Sequence, residues 1–202
     1  MKPQKEGFSL IELLVCIGIL SVLLTISLPS MTSITGRQRV AAQISEIRSS
    51  LQLARSLAVM EGKIWKVCML DAQQSCVKQN GESLAVFRDD NNDNQRGHDE
   101  KRKNFSSIEG VNIKLSASNR TYIRFKRTGE SMESGNFQVC SSDPNFAQGR
   151  QVIIYRSGRI RLSKDTNGDG YHESWSGSIT CSPLFFTPLS PLKREVHHKL
   201  TN

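Results

Sequence analysis

Gly158, Arg159, Ile160 and Arg161 place two guanidiniums one residue apart behind a glycine. In an extended strand alternate side chains share a face, which would set Arg159 and Arg161 about 6.6 Å apart on one side. Gly158 permits the tight turn that presents them at an edge. Two guanidiniums so placed fork onto phosphate oxygens. Arg150, Arg156 and Lys164 add charge nearby, and Arg120, Arg124, Lys126 and Arg127 form a second basic run that would extend the patch. The chain has 202 residues and a net charge of +8. Such a field attracts polyanions, nucleic acid or an anionic membrane surface alike, and is screened by salt. The competing use of Arg159 and Arg161 is to keep an exposed edge strand soluble.

Other chemistry-bearing groups are weaker signals. Asp165, Asn167, Asp169 and Gly170 match the opening of a calcium loop, but its twelfth position is Ser176 instead of a bidentate glutamate, so an Asx-rich turn is the expectation and no metal site is assigned. Asp90, Asn92 and Asn94 form a poorer half-site. The histidines, His98, His172, His197 and His198, have no metal-ligand spacing, and no nucleophile elbow, P-loop or dinucleotide fingerprint is present. No enzymatic activity and no cofactor are expected. Cys16 lies in an apolar block, whereas Cys68, Cys76, Cys140 and Cys181 make an even set beyond it. Two disulfides are expected if that part is exported. Cys68 with Cys76 would clip a hairpin and leave Cys140 with Cys181, although four cysteines allow three pairings.

These groups need a scaffold, and the chain divides into an anchor and a head. Met1 to Gly7 is short and basic, and Phe8 to Leu28 holds 21 residues with Glu12 as the single charge. That length and composition predict a membrane span with its positive end cytoplasmic. A small-residue cleavage site after the apolar block is missing, and Gly7 stands before it. Glu12 is the anomaly, since a carboxylate in a span costs roughly 3 kcal/mol and is usually paired or functional.

Pro29 removes a backbone donor and should kink or open the helix that follows from the span. Val40, Ile44, Ile47, Leu51, Ala54 and Ala58 then recur at steps of four and three, an apolar stripe with Arg37, Arg39, Glu46, Arg48 and Arg55 outside it. Gly62 is a suitable helix stop. Beyond it come short β-branched and aromatic runs at residues 64–70, 84–88, 111–115, 121–126, 137–140, 151–156 and 159–162, which should form a sheet against the stripe. Turn-rich loops lie between them, notably Asp89 to Gly97 and Asp165 to Gly170. The fold class expected is α+β, a long N-terminal helix packed on a small antiparallel β-sheet head.

The order Gly7, Phe8, Ser9, Leu10, Ile11, Glu12, Leu13 resembles the type IV prepilin signature. The whole from Gly7 to Cys181 resembles the GspH/FimT group of minor pilins and pseudopilins, through Ala85-Val86-Phe87-Arg88-Asp89, Phe137-Gln138-Val139-Cys140 and Val152 to Arg161. Gly158-Arg159-Ile160-Arg161 resembles the GRxR element of FimT-type pilins, associated with DNA binding in natural transformation. The resemblance implies a leader at 1–7 cut after Gly7 by a prepilin peptidase, and a methylated Phe8. It also implies a Glu12 that neutralises the terminal amine of a neighbouring pilin in the filament. It further implies a membrane and filament-core helix at 8–29, an amphipathic helix at 30–62 and a periplasmic head at 63–182; the stretch 183–202, with three prolines and a basic end, resembles nothing in that group and is expected to be a flexible tail. The expected partners are major and minor pilins, the inner membrane before assembly, and double-stranded DNA held by its backbone through Arg150, Arg156, Gly158, Arg159, Arg161 and Lys164. The alternatives are a structural pseudopilin that primes a type II secretion or pilus filament, and an envelope sensor of an acidic polysaccharide.

Overall fold

The computed structural model describes residues 9–27, 31–79, 81–88, 90, 102–107, 110–142, 148–174 and 177–181. Gly7, Phe8, Pro29, most of the 89–97 loop, Ser176 and the segment from residue 182 onward lie outside them. Helix α1, Leu10–Ser27, is predominantly apolar with Glu12 its single charge, and exposes every side chain from Leu10 to Leu23. Its 18 residues rise about 27 Å, slightly less than a hydrocarbon core of about 30 Å. Among the described residues no helix is by itself long and apolar enough to cross a membrane.

Helix α2, Met31–Glu61, carries the apolar stripe. Val40, Ile44, Ile47, Leu51, Ala54 and Ala58 are all buried, while Arg37, Arg39, Arg48 and Arg55 are exposed. The three-four spacing puts the first set on one face, and burial of that face against the head fixes the helix in place. Gly62, at φ +65°, ends it in the left-handed conformation that a residue with a Cβ adopts at a cost.

Among the described residues the antiparallel head is built of two larger sheets and a two-stranded ribbon. The strands are β1 (Trp65–Leu70), β2 (Cys76–Val77), β3 (Ser83–Phe87), β4 (Arg102–Ser107), β5 (Val111–Ser116), β6 (Tyr122–Phe125), β7 (Gly135–Ser141), β8 (Gly149–Ile154), β9 (Ile160–Leu162), β10 (Glu173–Ser174) and β11 (Gly177–Ser178). The first sheet runs β2-β1-β3-β4, and β6 shares one edge of β1 with β2, pairing to Trp65–Cys68 while β2 pairs to Met69 and Leu70. The second runs β5-β7-β8-β9, which leaves β9 at its edge, and β10 with β11 forms a ribbon. Hydrogen bonds join the sheets, among them one from Lys78 Nζ to Ser118 O at 2.8 Å. Leu115 N–H donates to Lys78 O at 2.7 Å, and Ser131 N–H donates to Arg156 O at 3.0 Å.

All six residues of β1 are buried because the strand is covered on both faces. Trp65, Val67 and Met69 join the main core with α2, β5, β7 and β8, while Cys68 and Leu70 pack with Ala85, Phe87 and Tyr122 on the other side. Disulfides join Cys68 to Cys76 across the β1–β2 hairpin and Cys140 to Cys181 between β7 and the end of the described chain.

A buried ion pair closes the β6 side. The Glu133 carboxylate accepts from Arg124 Nε at 2.9 Å, Nη2 at 2.6 Å and the Arg124 backbone N–H at 2.8 Å. Removing the acid would strand a largely buried guanidinium, so Glu133→Ala is expected to destabilise the head by about 3 kcal/mol. Denaturant unfolding of residues 32–202, which retain the whole core, measures it. A loss under about 0.5 kcal/mol, the range of an exposed pair, would remove the pair from the fold's supports.

Candidate functional site

Two turns of the same design meet at one end of the head. In the first, between β8 and β9, Tyr155 N–H donates to Arg159 O at 3.0 Å, and Gly158 N–H donates to Tyr155 O at 2.9 Å. In the second, after β6, Lys126 N–H donates to Glu130 O at 2.9 Å, and Gly129 N–H donates to Lys126 O at 2.8 Å. Each is a tight turn followed by a glycine bulge, with Gly158 at φ +76° and Gly129 at φ +79°. The sequences are Tyr-Arg-Ser-Gly-Arg and Lys-Arg-Thr-Gly-Glu, so each turn carries an arginine at its second position, Arg156 and Arg127.

The two glycines are what let the turns touch. A Cβ on Gly158 would lie 2.0 Å from the Gly129 carbonyl oxygen, which leaves room for hydrogen only. Arg55 of α2 lies over both, its Nε 3.2 Å from the Cβ position of either glycine. The Ser131 to Arg156 hydrogen bond completes the junction. Arg156, Arg159 and Arg161 from one sheet therefore stand with Lys126 and Arg127 from the other, all exposed, with Glu130 the acid among them. No side-chain partner engages Arg156, Arg159 or Arg161 among the described residues.

Arg159 and Arg161 share a face. Ile160 between them is turned toward the core, and Arg161 lies opposite Ile153 on the side of the sheet away from α2. Arg150 does not join them. It is paired with the core residue Val139, faces the α2 side and lines a cleft of about 140 Å³ with Arg37, Asp165 and His172. Lys164 sits beyond the far end of β9, where its backbone carbonyl accepts from Glu173 N–H at 2.9 Å beside the 165–170 loop. Arg124 is held by Glu133 and lies 5.0 Å over the Tyr122 ring, and Arg120 donates to the Tyr122 hydroxyl at 3.2 Å. The second basic run is thus divided: Lys126 and Arg127 extend the patch, while Arg120 and Arg124 are occupied within the fold.

A scan against protein-family models matches residues 43–158, more than half of the chain, to the Type II transport protein GspH. The chain belongs to the GspH family. Residues 2–28 match the prokaryotic N-terminal methylation motif, which includes Gly7, Phe8 and Glu12, so this GspH-family protein is of the type IV minor pilin and pseudopilin class. A fimbrial protein of Pseudomonas aeruginosa is 41% identical over 63 residues, 31% of this chain. The match spans only 40% of that relative's length. Among solved structures, the type IV minor pilin FimU of Pseudomonas aeruginosa is 20% identical over 65% of this chain and 92% of its own, with a TM-score of 0.47. The minor pseudopilin EpsH of the Vibrio cholerae type 2 secretion system is 15% identical over 61% of this chain and 95% of its own, with a TM-score of 0.44.

The 165–170 loop of this GspH-family pilin is closed on itself, while Asn92 and Asn94 of the other half-site lie outside the described residues. Asp165 accepts from Gly168 N–H at 2.7 Å and Gly170 N–H at 2.9 Å, and Asp169 accepts from Tyr171 N–H at 2.7 Å, the Asx-turn pattern expected of the loop. Glu173 comes within 4.8 Å of both acids. The residues missed in the sequence are Tyr155 and Arg55. The signal for the junction was the repeated Arg-Ser/Thr-Gly, which marks two turns of one design but not that they meet.

Proposed function

We propose that this GspH-family pilin is a minor subunit of a type IV filament that captures DNA by its phosphates through the basic junction. The observation that carries the reading is the pair of turns locked tip to tip, which sets five exposed cations on one end of a rigid head. Backbone hydrogen bonds and the Gly129–Gly158 contact fix the turns, so little ordering remains to oppose binding. The Gly158-Arg159-Ile160-Arg161 element, similar to that of FimT-type pilins, supports it. Phosphate contact by guanidiniums recognises no base, so double-stranded DNA is bound whatever its sequence.

The N-terminal reading goes with it. A prepilin peptidase cuts after Gly7, Phe8 is methylated, and α1 anchors the chain in the inner membrane with the head in the periplasm. Packing among other pilins then carries it into a filament outside the cell. Glu12, exposed on α1, offsets a neighbour's terminal amine. A second reading has a specific observation in its favour. Val59 and Met60 at the end of α2 and Ile64 just beyond it are exposed apolar residues of the kind that a neighbouring subunit would cover in a purely structural pseudopilin.

Titration of the full chain in non-ionic detergent with duplexes of unrelated sequence separates them. DNA capture predicts equal affinity for each duplex. It also predicts a log-log salt slope that falls by about 1.8 in the Arg159→Gln, Arg161→Gln variant, two phosphates at about 0.9 each. Absence of binding at low salt by a folded chain would leave the structural pseudopilin.

A further inference from the structure

We infer that Tyr155 makes the basic junction a site for unpaired nucleotides, with its ring as a stacking surface and Arg159 and Arg161 holding the flanking phosphates. The inference rests on the phosphate-binding reading above and adds the form of DNA preferred. Trp65, Phe87, Tyr122, Phe125 and Phe137 are all buried, whereas Tyr155 is 40% exposed. Among residues whose side chains are described, it is the exposed aromatic.

Its placement is specific. Ile154 is buried in the core, so strand alternation turns Tyr155 to the opposite face, the one that Ile153 and Arg161 share. The hydrogen bond from Tyr155 N–H to Arg159 O sets those two residues directly across the hairpin. Cross-strand neighbours lie about 5 Å apart at Cβ, and Arg161, two pairs further along and on the same face, lies within roughly 8 Å. An aromatic ring flanked by two guanidiniums on one face is the arrangement that binds single strands: bases stack on the ring and cations follow the backbone. A duplex keeps its bases stacked inside and presents only phosphates, so it gains nothing from the ring.

The support beneath Tyr155 is stiff. Its carbonyl accepts from Gly158 N–H, Gly158 is pressed against Gly129, and the Arg156 carbonyl accepts from Ser131. The ring therefore stands on a backbone tied on both sides. An unpaired end or a frayed segment of a longer molecule is the form such a face would take first.

The test titrates the full chain in non-ionic detergent with a dT 20-mer and with a blunt hairpin duplex of the same phosphate number. Tyr155→Ala is expected to weaken dT 20-mer binding by about 5- to 150-fold, the worth of one stacked base, and to leave the hairpin duplex unchanged. Tyr155→Phe, which keeps the ring, should retain the dT affinity. Equal losses on both forms, or no loss on the dT 20-mer, would overturn the stacking role. So would competition by an acidic polysaccharide that Tyr155→Ala weakens while dT binding stays intact. The Arg159→Gln, Arg161→Gln variant reads the underlying claim separately. If it leaves both affinities and both salt slopes unchanged, phosphate binding fails whatever Tyr155 does; if it lowers both while Tyr155→Ala changes neither, only the stacking role is lost.

Discussion

Gly158→Ala is expected to destabilise the head by about 4 kcal/mol and to weaken DNA binding even in the molecules that stay folded. Two costs add. The residue sits at φ +76°, where a Cβ meets its own backbone at roughly 1–2 kcal/mol. The same Cβ would lie 2.0 Å from the Gly129 carbonyl oxygen and 3.1 Å from its carbon, backbone atoms of a turn tied by its own hydrogen bonds. Relief requires the two turns to part, at a cost of the kind that overpacking imposes, roughly 1–3 kcal/mol. Parting breaks the Ser131 to Arg156 hydrogen bond and carries Arg156 and Arg159 away from Arg127. Denaturant unfolding of residues 32–202 measures the first effect, and a duplex titration below the unfolding range measures the second. Ser157→Ala, in the same turn and exposed, should change neither. An alanine at 158 that costs less than about 1 kcal/mol would mean that the turns do not touch as described.

Loss of the Cys140–Cys181 disulfide is expected to cost about 4 kcal/mol, and loss of Cys68–Cys76 about 2.5 kcal/mol. The first closes a separation of 41 residues and the second one of 8, and the entropy that a cross-link removes from the unfolded chain grows with the logarithm of the loop. The longer link also holds structure. Gly149 N–H donates to Ile179 O at 3.3 Å, Gln148 bridges to Thr180, and Ile179 and Cys181 are buried on β8. The Ile179 N–H also donates to His172 O at 2.8 Å and the Thr180 carbonyl accepts from Gln138 at 3.2 Å, so the disulfide adds a covalent tie to a segment already paired on both sides. Cys140→Ser with Cys181→Ser, compared with Cys68→Ser with Cys76→Ser by denaturant unfolding, reads the order. Equal or reversed losses would contradict the loop argument. Oxidation of both pairs suits an exported head, where disulfides persist.

The stripe of α2 was legible because a three-four spacing of apolar residues has one interpretation, and all six of its residues are in the core. Seven strands were legible from their β-branched and aromatic runs. β4, with the sequence Arg-Lys-Asn-Phe-Ser-Ser, was not, since it lacks alternation and is placed by its pairing to β3. The two-residue strands β2, β10 and β11 are likewise products of tertiary pairing. In the site, Arg159 and Arg161 were readable because two residues along a strand return to the same face. Arg150 and Lys164 were grouped with them by nearness in sequence. However, the register that sets Arg150 against Val139 and the turn that sets Lys164 beside Glu173 take both to the other end of β8 and β9. The entry of Lys126 and Arg127 depends on a contact between turns of two different sheets. Local spacing does not encode that contact.

The difference between the two ends of β8 and β9 supplies the most direct test. Arg159→Gln with Arg161→Gln removes two charges at the junction, and Arg150→Gln with Lys164→Gln removes two at the far end, so the two variants carry the same net charge. Both are titrated as full chains with duplex DNA at two salt concentrations. Phosphate capture at the junction predicts that the first variant loses affinity and about 1.8 from the salt slope while the second stays near the parent. Equal losses from the two variants would contradict it, because binding would then follow the overall charge of +8 and not the two locked turns.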